Sequence, residues 1–247
     1  MHVLLAVDGT LSATDYNFGT NRSYVRRFYD RFAGGRKRFF EGPGEGPGGI
    51  GGVLGTDVDD IEESSWTALT SMLRSSGDSD RIRISLVGHS RGGHIVCAIA
   101  RRLAGLRVGD LTPAFRAPGS HSTNPPYRVH FLGLYDAVDM TWNGGDTSQI
   151  PSNVDYYAHA VRSPDIGSRD SWGNTGWTNL CSEQQMTRYF RATHGSIGGA
   201  PPTACSTDLA LVADQCNIAL TSEENEAEGR RAHDFILDRA RFAGVPV

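Results

Sequence analysis

The chain has 247 residues, with 24 basic and 28 acidic side chains and a net charge of −4. An α/β domain of this length buries a large core without disulfides or metals, so we expect one domain over residues 1–247. With 21% charged and 38% hydrophobic residues, the composition excludes a disordered chain. The slightly acidic balance and the lack of a long basic run give no reason to expect nucleic acid as a partner.

No apolar run approaches the ~20 residues that span a bilayer. The N-terminal apolar run ends at Asp8 and has no cationic segment before it, unlike a secretory signal peptide. The default expectation is therefore a cytoplasmic protein. Export by an apparatus that needs no cleaved signal stays open as the alternative.

Strand-like and helix-like stretches alternate along the chain. In chain order the pattern predicts a strand at 3–7, a helix at 21–32, a glycine-rich loop at 42–52 and a helix at 57–73. A strand at 82–87, a helix at 92–103, a proline-rich excursion at 112–127 and a strand at 129–135 follow. The last part has loops at 140–153 and 163–179, a strand or short helix at 155–161, a strand at 187–193 and a helix at 222–242. The alternation predicts an α/β fold with a mostly parallel central sheet and helices on both faces.

The most informative segment is G-H-S-R-G at residues 88–92, which follows a β-branched strand and opens an apolar helix. A strand, a sharp turn and a helix are the setting of a nucleophile elbow, in which the turn exposes the Ser90 hydroxyl above the sheet. Glycines flank such a serine because the chain on both sides comes close. The amide of Arg91 then lies at a helix N-terminus, where it can donate to an oxyanion.

A serine nucleophile needs a base and an acid that orients it. Asp136 ends the strand at 129–135, with Asp139 as the main rival, and His194 ends the predicted strand at 187–193. The order Ser90, Asp136, His194 is that of the α/β-hydrolases, so these three are the predicted catalytic residues.

Three other histidines are less favoured as the base because of their positions, and His159 is expected to be structural. His89 adjoins the serine but points elsewhere in an elbow, and His159 lies in a less regular segment. His233 falls in the middle of the C-terminal helix, where a solvent-facing position is the simplest interpretation.

Several blocks together resemble the α/β-hydrolase family that includes the type VI secretion phospholipase effectors. They are V-D-G-T at 7–10, G-H-S-R-G-G at 88–93, L-G-L-Y-D-A-V at 132–138, H-A at 159–160 and H-G-S-I-G-G at 194–199. The resemblance implies a Ser90–Asp136–His194 triad that hydrolyses acyl esters, often of phospholipids. It also implies that the backbone near Gly9 or Thr10 is the second oxyanion donor beside Arg91. Ser196 departs from the family, which often has Asp there.

The function predicted is therefore a serine ester hydrolase of the lipase, phospholipase or carboxylesterase type, with an acyl-enzyme intermediate and no cofactor or metal. Its expected partner is an acyl ester or lipid, with a membrane surface as a further candidate. The alternative is a binding module that retains the hydrolase fold. A haloacid-dehalogenase-type phosphatase is disfavoured because Ala6 stands where that class needs its attacking carboxylate.

Other loop residues leave questions open. The three loop tryptophans either dock a lipid interface or pack the loops: Trp142, Trp172 and Trp177. The loop aspartates leave a calcium site as an alternative: Asp139, Asp146, Asp165 and Asp170. Cys97 is predicted to be a buried thiol. The sequence leaves undecided whether two of the other three cysteines form a disulfide: Cys181, Cys205 and Cys216.

Overall fold

The centre of the molecule is a six-stranded, wholly parallel sheet. From one edge to the other its strands are Gly35–Phe40, His2–Val7, Arg83–His89, Val129–Tyr135, Val154–Arg162 and Gln184–Phe190. A computed structural model describes residues 1–10, 23–43, 57–75, 82–106, 127–138, 149–166, 178–179, 184–199 and 220–247. Within these ranges the sheet and its helices form an α/β-hydrolase-like fold, as the sequence predicted.

The strands are β1 His2–Val7, β2 Gly35–Phe40, β3 Arg83–His89, β4 Val129–Tyr135, β5 Gln149–Ile150, β6 Val154–Arg162, β7 Thr178–Asn179 and β8 Gln184–Phe190. The helices are α1 Tyr24–Arg31, α2 Val58–Arg74, α3 Arg91–Ala104, α4 His194–Ile197 and α5 Ser222–Phe242, with a 3-10 turn at Pro164–Ile166. Short strands β5 and β7 pair in a separate parallel ribbon.

Helices cover both faces of the sheet. On one face, α2 and α3 pack over a core that includes Leu69, Ile99 and Leu132. On the other face, α1 and α5 pack over a core that includes Phe28, Phe131 and Ile236. Strands buried on both faces read as continuous apolar runs, which is why β1, β3 and β4 were readily predicted.

Local hydrogen bonds fix the start of the C-terminal helix α5. The hydroxyl of Thr221 accepts from the N–H of Glu224 at 3.2 Å, and the Glu224 carboxylate accepts from the N–H of Thr221 at 2.9 Å. This capping box satisfies two amides that the helix itself cannot bind. The helix therefore begins at Ser222, as predicted.

The structure adds one strand to the predicted elements, corrects the end of another and decides between the two alternatives left for a third. Strand β2 was not predicted, because its sequence G-R-K-R-F-F is basic rather than apolar. Lys37 in β2 donates to the carbonyl of Tyr29 at 2.7 Å, and Arg36 donates to that of Met72 at 3.1 Å, so the basic side chains cap neighbouring helices. Strand β8 ends at Phe190, four residues before His194, and not at His194. The ambiguous segment at 155–161 is strand, within β6.

Several predicted features lie outside the described residues. They are Asp139, Asp146, Asp170, the tryptophans Trp142, Trp172 and Trp177, and the cysteines Cys181, Cys205 and Cys216. Cys97 is buried in α3, as predicted. Of the helices that the structure describes, none combines the length and the apolar character needed to cross a bilayer.

Candidate active site

Ser90 sits on a sharp turn between β3 and α3 with backbone angles φ 55° and ψ −128°. Few residues other than glycine adopt these angles, and such strain persists only where the surroundings enforce it. The N–H of Ser90 donates to the carbonyl of Tyr135 at 3.1 Å, and its own carbonyl accepts from the N–H of Val138 at 3.2 Å. The turn is thus tied on both sides to the end of β4.

The two glycines of the motif make this turn possible. A Cβ at Gly88 would lie 2.4 Å from the carbonyl oxygen of Gly92, and a Cβ at Gly92 would lie 2.2 Å from that of Asp8. Backbone occupies both positions and cannot yield as a flexible side chain can. No side chain fits at either position, which explains why glycine stands on both sides of Ser90 in the G-x-S-x-G spacing.

The structure brings the three residues of the predicted triad together. The Nε2 atom of His194 lies 2.9 Å from the Oγ of Ser90, and its Nδ1 atom lies 2.8 Å from the Oδ2 of Asp136. An ionised carboxylate can only accept, so Nδ1 carries the proton and Nε2 accepts from the serine hydroxyl. All three side chains are buried.

Asp136 is the most strongly held member. Its carboxylate is fully buried and accepts from Arg162 twice, from the backbone N–H at 3.0 Å and from Nη1 at 2.9 Å. Burial opposes ionisation, but the hydrogen bond and the electrostatic attraction of His194, followed by the charge of Arg162, outweigh it and lower the pKa of Asp136. Arg162 was not singled out from the sequence. The one sequence feature that marks Arg162 is its position as the cation at the end of the largely apolar strand β6.

The backbone around Asp136 is fixed as well. Asp136 has φ 42°, and its N–H donates to the carbonyl of Ala160 at 2.7 Å. The next amide, that of Ala137, donates to Nε2 of His159 at 3.1 Å. Desolvation lowers the pKa of His159 to about 4, so this ring is a neutral acceptor. His159 thus holds the backbone that follows Asp136, a specific contact beyond the general structural role expected from the sequence.

The sequence predicted that His194 ends a strand, and this is wrong. His194 is the first residue of the short helix α4, directly after the N-cap Thr193. Asn225 of α5 fixes that cap, accepting from the N–H of Thr193 at 2.9 Å and donating to its hydroxyl at 3.2 Å. The hydroxyl of Ser196 donates to the carbonyl of Asn225 at 2.7 Å. The C-terminal helix therefore holds the candidate base in place, and Ser196 is part of that attachment.

His89 has a contact that the sequence did not indicate. Its ring lies against the His194 ring, and its Nε2 atom donates to the carbonyl of His194 at 3.3 Å. Burial lowers the pKa of His89 to about 3, so the ring is uncharged beside the triad. A Cβ on Gly9 or Gly198 would lie 2.4 or 2.3 Å from this ring, so both positions leave room for it.

The end of β1 lies beside the elbow. The hydroxyl of Thr10 accepts from Nη1 of Arg91 at 3.4 Å, and the N–H of Gly9 donates to the Oδ1 of Asp8 at 2.9 Å. The other oxygen of Asp8 accepts from the hydroxyl of Ser23, the N-cap of α1. Desolvation raises the pKa of the Asp8 carboxyl to about 6. All three predicted oxyanion-hole residues thus border the elbow, but a side chain already engages the Gly9 amide.

The sequence predicted that His233 faces solvent, but its side chain is buried. Its ring stacks on Tyr24 at a centroid distance of 4.5 Å, and its Nδ1 atom accepts from the hydroxyl of Tyr135 at 2.8 Å. The signal was present in the sequence, because Gly229, His233, Ile236 and Ala240 form one stripe along α5.

The described part of the chain offers few residues for a metal site. Of the four loop aspartates considered for calcium, the structure describes Asp165, which accepts from Nε of Arg191 at 3.0 Å. Within the described ranges no group of three or more His, Cys, Asp or Glu side chains could hold a metal ion.

No protein-family model matches the chain, and no curated protein matches its sequence. The chain is similar in structure to an uncharacterised Pseudomonas aeruginosa protein, at a TM-score of 0.52 and 15% identity. That match covers the whole of this chain but 46% of the other, so this chain spans less than half of that protein's length.

Two weaker similarities are to proteins with named activities or partners. One is a Tle1 effector bound to the VgrG spike of the type 6 secretion system, at a TM-score of 0.46 and 14% identity, covering 83% of this chain and 52% of that one. The other is an acetyl xylan esterase, at a TM-score of 0.41 and 15% identity, covering 98% and 97% of the two chains. Similarity at this level concerns the fold alone.

Proposed function

We propose that the protein is a serine ester hydrolase with Ser90 as nucleophile, His194 as base and Asp136 as the orienting acid. One observation carries the proposal, the unbroken hydrogen-bonded series from the Ser90 hydroxyl through His194 to Asp136, at 2.9 and 2.8 Å. The strained turn at Ser90 supports it, because unfavourable backbone angles concentrate at functional sites.

The reaction is acyl transfer in two steps. Nε2 of His194 takes the hydroxyl proton as the Oγ of Ser90 attacks the ester carbonyl, and the resulting imidazolium then protonates the leaving alcohol. Asp136 holds the Nδ1–H tautomer and stabilises the positive charge on His194. Water attacks the acyl-enzyme by the same route, which releases the acid and restores Ser90.

Backbone amides stabilise the tetrahedral oxyanion. One donor is the amide of Arg91, which stands at the N-terminus of α3, where the helix dipole also favours negative charge. The second donor comes from the end of β1. We assign it to the amide of Thr10, since that of Gly9 is bonded to Asp8. Each such donor is worth roughly a hundredfold or more in turnover.

The substrate class is an acyl ester, with phospholipids as one subclass. The resemblance of the sequence blocks to the phospholipase effectors supports the lipid subclass. Activity on soluble short-chain esters would place the protein among the carboxylesterases. A phospholipase acts at a lipid interface, so its rate rises steeply once vesicles are present, whereas a carboxylesterase saturates without one.

The proposal is tested by measuring hydrolysis of p-nitrophenyl esters with acyl chains from two to sixteen carbons, in parallel with phosphatidylcholine vesicles. Wild type is compared with Ser90→Ala, and circular dichroism checks that both are folded. We expect activity in wild type and a loss of at least about a thousandfold in the variant. The chain-length and vesicle profiles assign the subclass.

Two results would contradict the proposal. If neither protein hydrolyses any of these esters, the alternative of a binding module that retains the hydrolase fold takes its place. If both hydrolyse them equally, the activity arises elsewhere in the chain and Ser90 is not the nucleophile.

A further inference from the structure

Asp136 does not serve His194 alone. Its Oδ2 atom accepts both Nδ1 of His194 at 2.8 Å and Nη1 of Arg162 at 2.9 Å, while its Oδ1 accepts the backbone N–H of Arg162 at 3.0 Å. The Arg162 side chain is 5% exposed and the Asp136 side chain is fully buried. A guanidinium therefore shares one carboxylate oxygen with the candidate base inside the protein.

The charges of this group have a direct consequence. In the resting site the carboxylate and the guanidinium cancel, and His194 is neutral. Protonation of His194 adds a positive charge that shares its counter-ion with Arg162. In a buried site this repulsion is weakly screened, so it disfavours the imidazolium.

We propose that Arg162 is a positioning residue of the triad that keeps Asp136 ionised and lowers the basicity of His194. The inference rests on the proposed function, in which His194 must be neutral to take the serine proton. Its consequence is that the enzyme stays active at lower pH than a triad without the arginine.

Other groups around His194 do not supply this effect. Among the described residues, the elbow presents Ser90 and His89, β6 presents Arg162 and His159, and the facing residue of α5 is the uncharged Asn225. Burial lowers the pKa of His89 to about 3 and that of His159 to about 4, so both rings are neutral above pH 5. Among the described residues, Arg162 is the arginine in direct contact with the Asp136 carboxylate.

The chain offers a matched control. Arg128 and Asp155 form a second arginine–aspartate pair between β4 and β6, with Nε of Arg128 donating to Asp155 at 2.6 Å. This pair lies at the opposite ends of those strands from Asp136 and Arg162. Arg128→Met therefore removes an ion pair between the same two strands without touching the triad.

The experiment compares wild type with Arg162→Met, Arg162→Gln, Arg162→Lys and Arg128→Met. Two neutral variants are used because glutamine retains a hydrogen-bond donor for Asp136 if methionine prevents folding. The first readout is the pH profile of kcat/KM for p-nitrophenyl butyrate, whose acid limb reports the pKa of the base in the free enzyme. The second is the NMR titration of the ¹⁵N-labelled His194 ring, assigned with His194→Gln, which needs no activity.

We expect the pKa of His194 to rise by about one unit in both neutral variants, which moves the acid limb to higher pH. Arg162→Lys retains the charge and should stay near wild type, and Arg128→Met should not shift. An unchanged His194 pKa in a folded neutral variant would overturn the inference, since a merely structural arginine lowers activity equally at all pH values. A fall in that pKa would also overturn it, because Arg162 would then raise the basicity of His194 instead of lowering it.

The two proposals can fail separately. If wild type hydrolyses no ester but His194 titrates at higher pH in Arg162→Met, the proposed function fails and the role of Arg162 stands. If wild type is active through Ser90 and the titration does not shift, the role of Arg162 fails and the proposed function stands.

Discussion

The imidazole rings of His89 and His194 lie against each other, with centroids 4.9 Å apart and planes inclined by 32°. The residue before the nucleophile thus supports the base rather than the serine. Gly198 follows α4 and leaves the space into which the His89 ring fits. The arrangement links the elbow directly to the segment that carries His194.

This packing predicts a specific sensitivity at Gly198. Gly198 and Gly105 both end helices, with φ −79° and ψ near −7° in each, so alanine fits both backbones. A methyl at 198 would lie 2.3 Å from the His89 ring, whereas one at 105 would lie 3.5 Å from the nearest atom. We expect Gly198→Ala to cost about 1–3 kcal/mol of stability and to lower kcat/KM at least about tenfold through displacement of His194.

Urea unfolding and ester hydrolysis of the two alanine variants test this prediction. Gly105→Ala should be neutral or slightly stabilising, by up to about 1 kcal/mol, because alanine restricts the unfolded chain. If Gly198→Ala is as stable and as active as Gly105→Ala, then the packing of His89 does not hold the base.

The strained backbone at Ser90 predicts that two inactive variants at this position differ in stability. Both Ser90→Ala and Ser90→Gly should be inactive, but glycine tolerates φ 55° and ψ −128° whereas alanine does not. Strain of about 1–3 kcal/mol exceeds the entropic cost of glycine, so Ser90→Gly should be more stable than Ser90→Ala by about 1 kcal/mol. Thermal or urea unfolding of the two variants measures the difference.

Ser85 is the control for this comparison, since it is buried in β3, the strand that leads into the turn, and its backbone is not strained. There the order should reverse, with glycine less stable than alanine. If glycine is the less stable residue at both positions, then the turn at Ser90 is not strained.

The choice between two acids is a separate test. Asp136→Asn offers His194 a side chain that can donate, which favours the wrong imidazole tautomer, so kcat should fall by about 10⁴. Asp139→Asn should lower kcat less than about tenfold, because Asp136 occupies the acid's position beside His194. The reverse ranking, measured on p-nitrophenyl butyrate, would assign the acid to Asp139.

Buried titratable groups predict how stability depends on pH. Desolvation lowers the pKa of His89 and His233 to about 3 and that of His159 to about 4, below their ordinary value of 6.5. Below pH 6.5 the unfolded chain binds protons that the folded protein does not, so stability falls as the pH is lowered towards 4. Asp8 acts in the opposite direction, because its folded pKa of about 6 exceeds the ordinary value of 3.8.

Asp8→Asn isolates that opposing contribution. The uncharged amide avoids burying a charge, so the variant should be more stable than wild type at pH 7, by up to about 3 kcal/mol. Its advantage should shrink to less than about 1 kcal/mol near pH 4 and vanish near pH 3, where Asp8 is protonated in both states. Urea unfolding at half-unit pH steps tests this, and an advantage that is constant over the whole range would contradict the raised pKa.

Most of the fold could be predicted because buried parallel strands and amphipathic helices leave strong periodic patterns. Strand β4 and helix α5 have the predicted bounds, and other predicted elements differ by one or a few residues at their ends. Strand β2 could not be found this way. It is an edge strand whose stabilisation comes from pairing with β1 and from basic side chains that cap helices.

Some residues of the candidate site could likewise be predicted from the sequence, and others could not. Ser90 could be predicted because the elbow is a local event with a steric signature in sequence. His194 was found by order along the chain, although the short helix it opens depends on Asn225 more than thirty residues later. The side chains of Arg162 and His89 act through contacts between distant segments, and no local pattern encodes such contacts.

The most direct test of Ser90 as the nucleophile is to trap the acyl-enzyme. Wild type is mixed with p-nitrophenyl butyrate, quenched in acid within the first turnover and digested, and the peptides are analysed by mass spectrometry. We predict a butyryl group on Ser90, together with a burst of p-nitrophenol that matches the enzyme concentration, and neither in Ser90→Ala. Ester hydrolysis without any adduct on Ser90, or with the adduct on another residue, would contradict the assignment of Ser90 as the nucleophile.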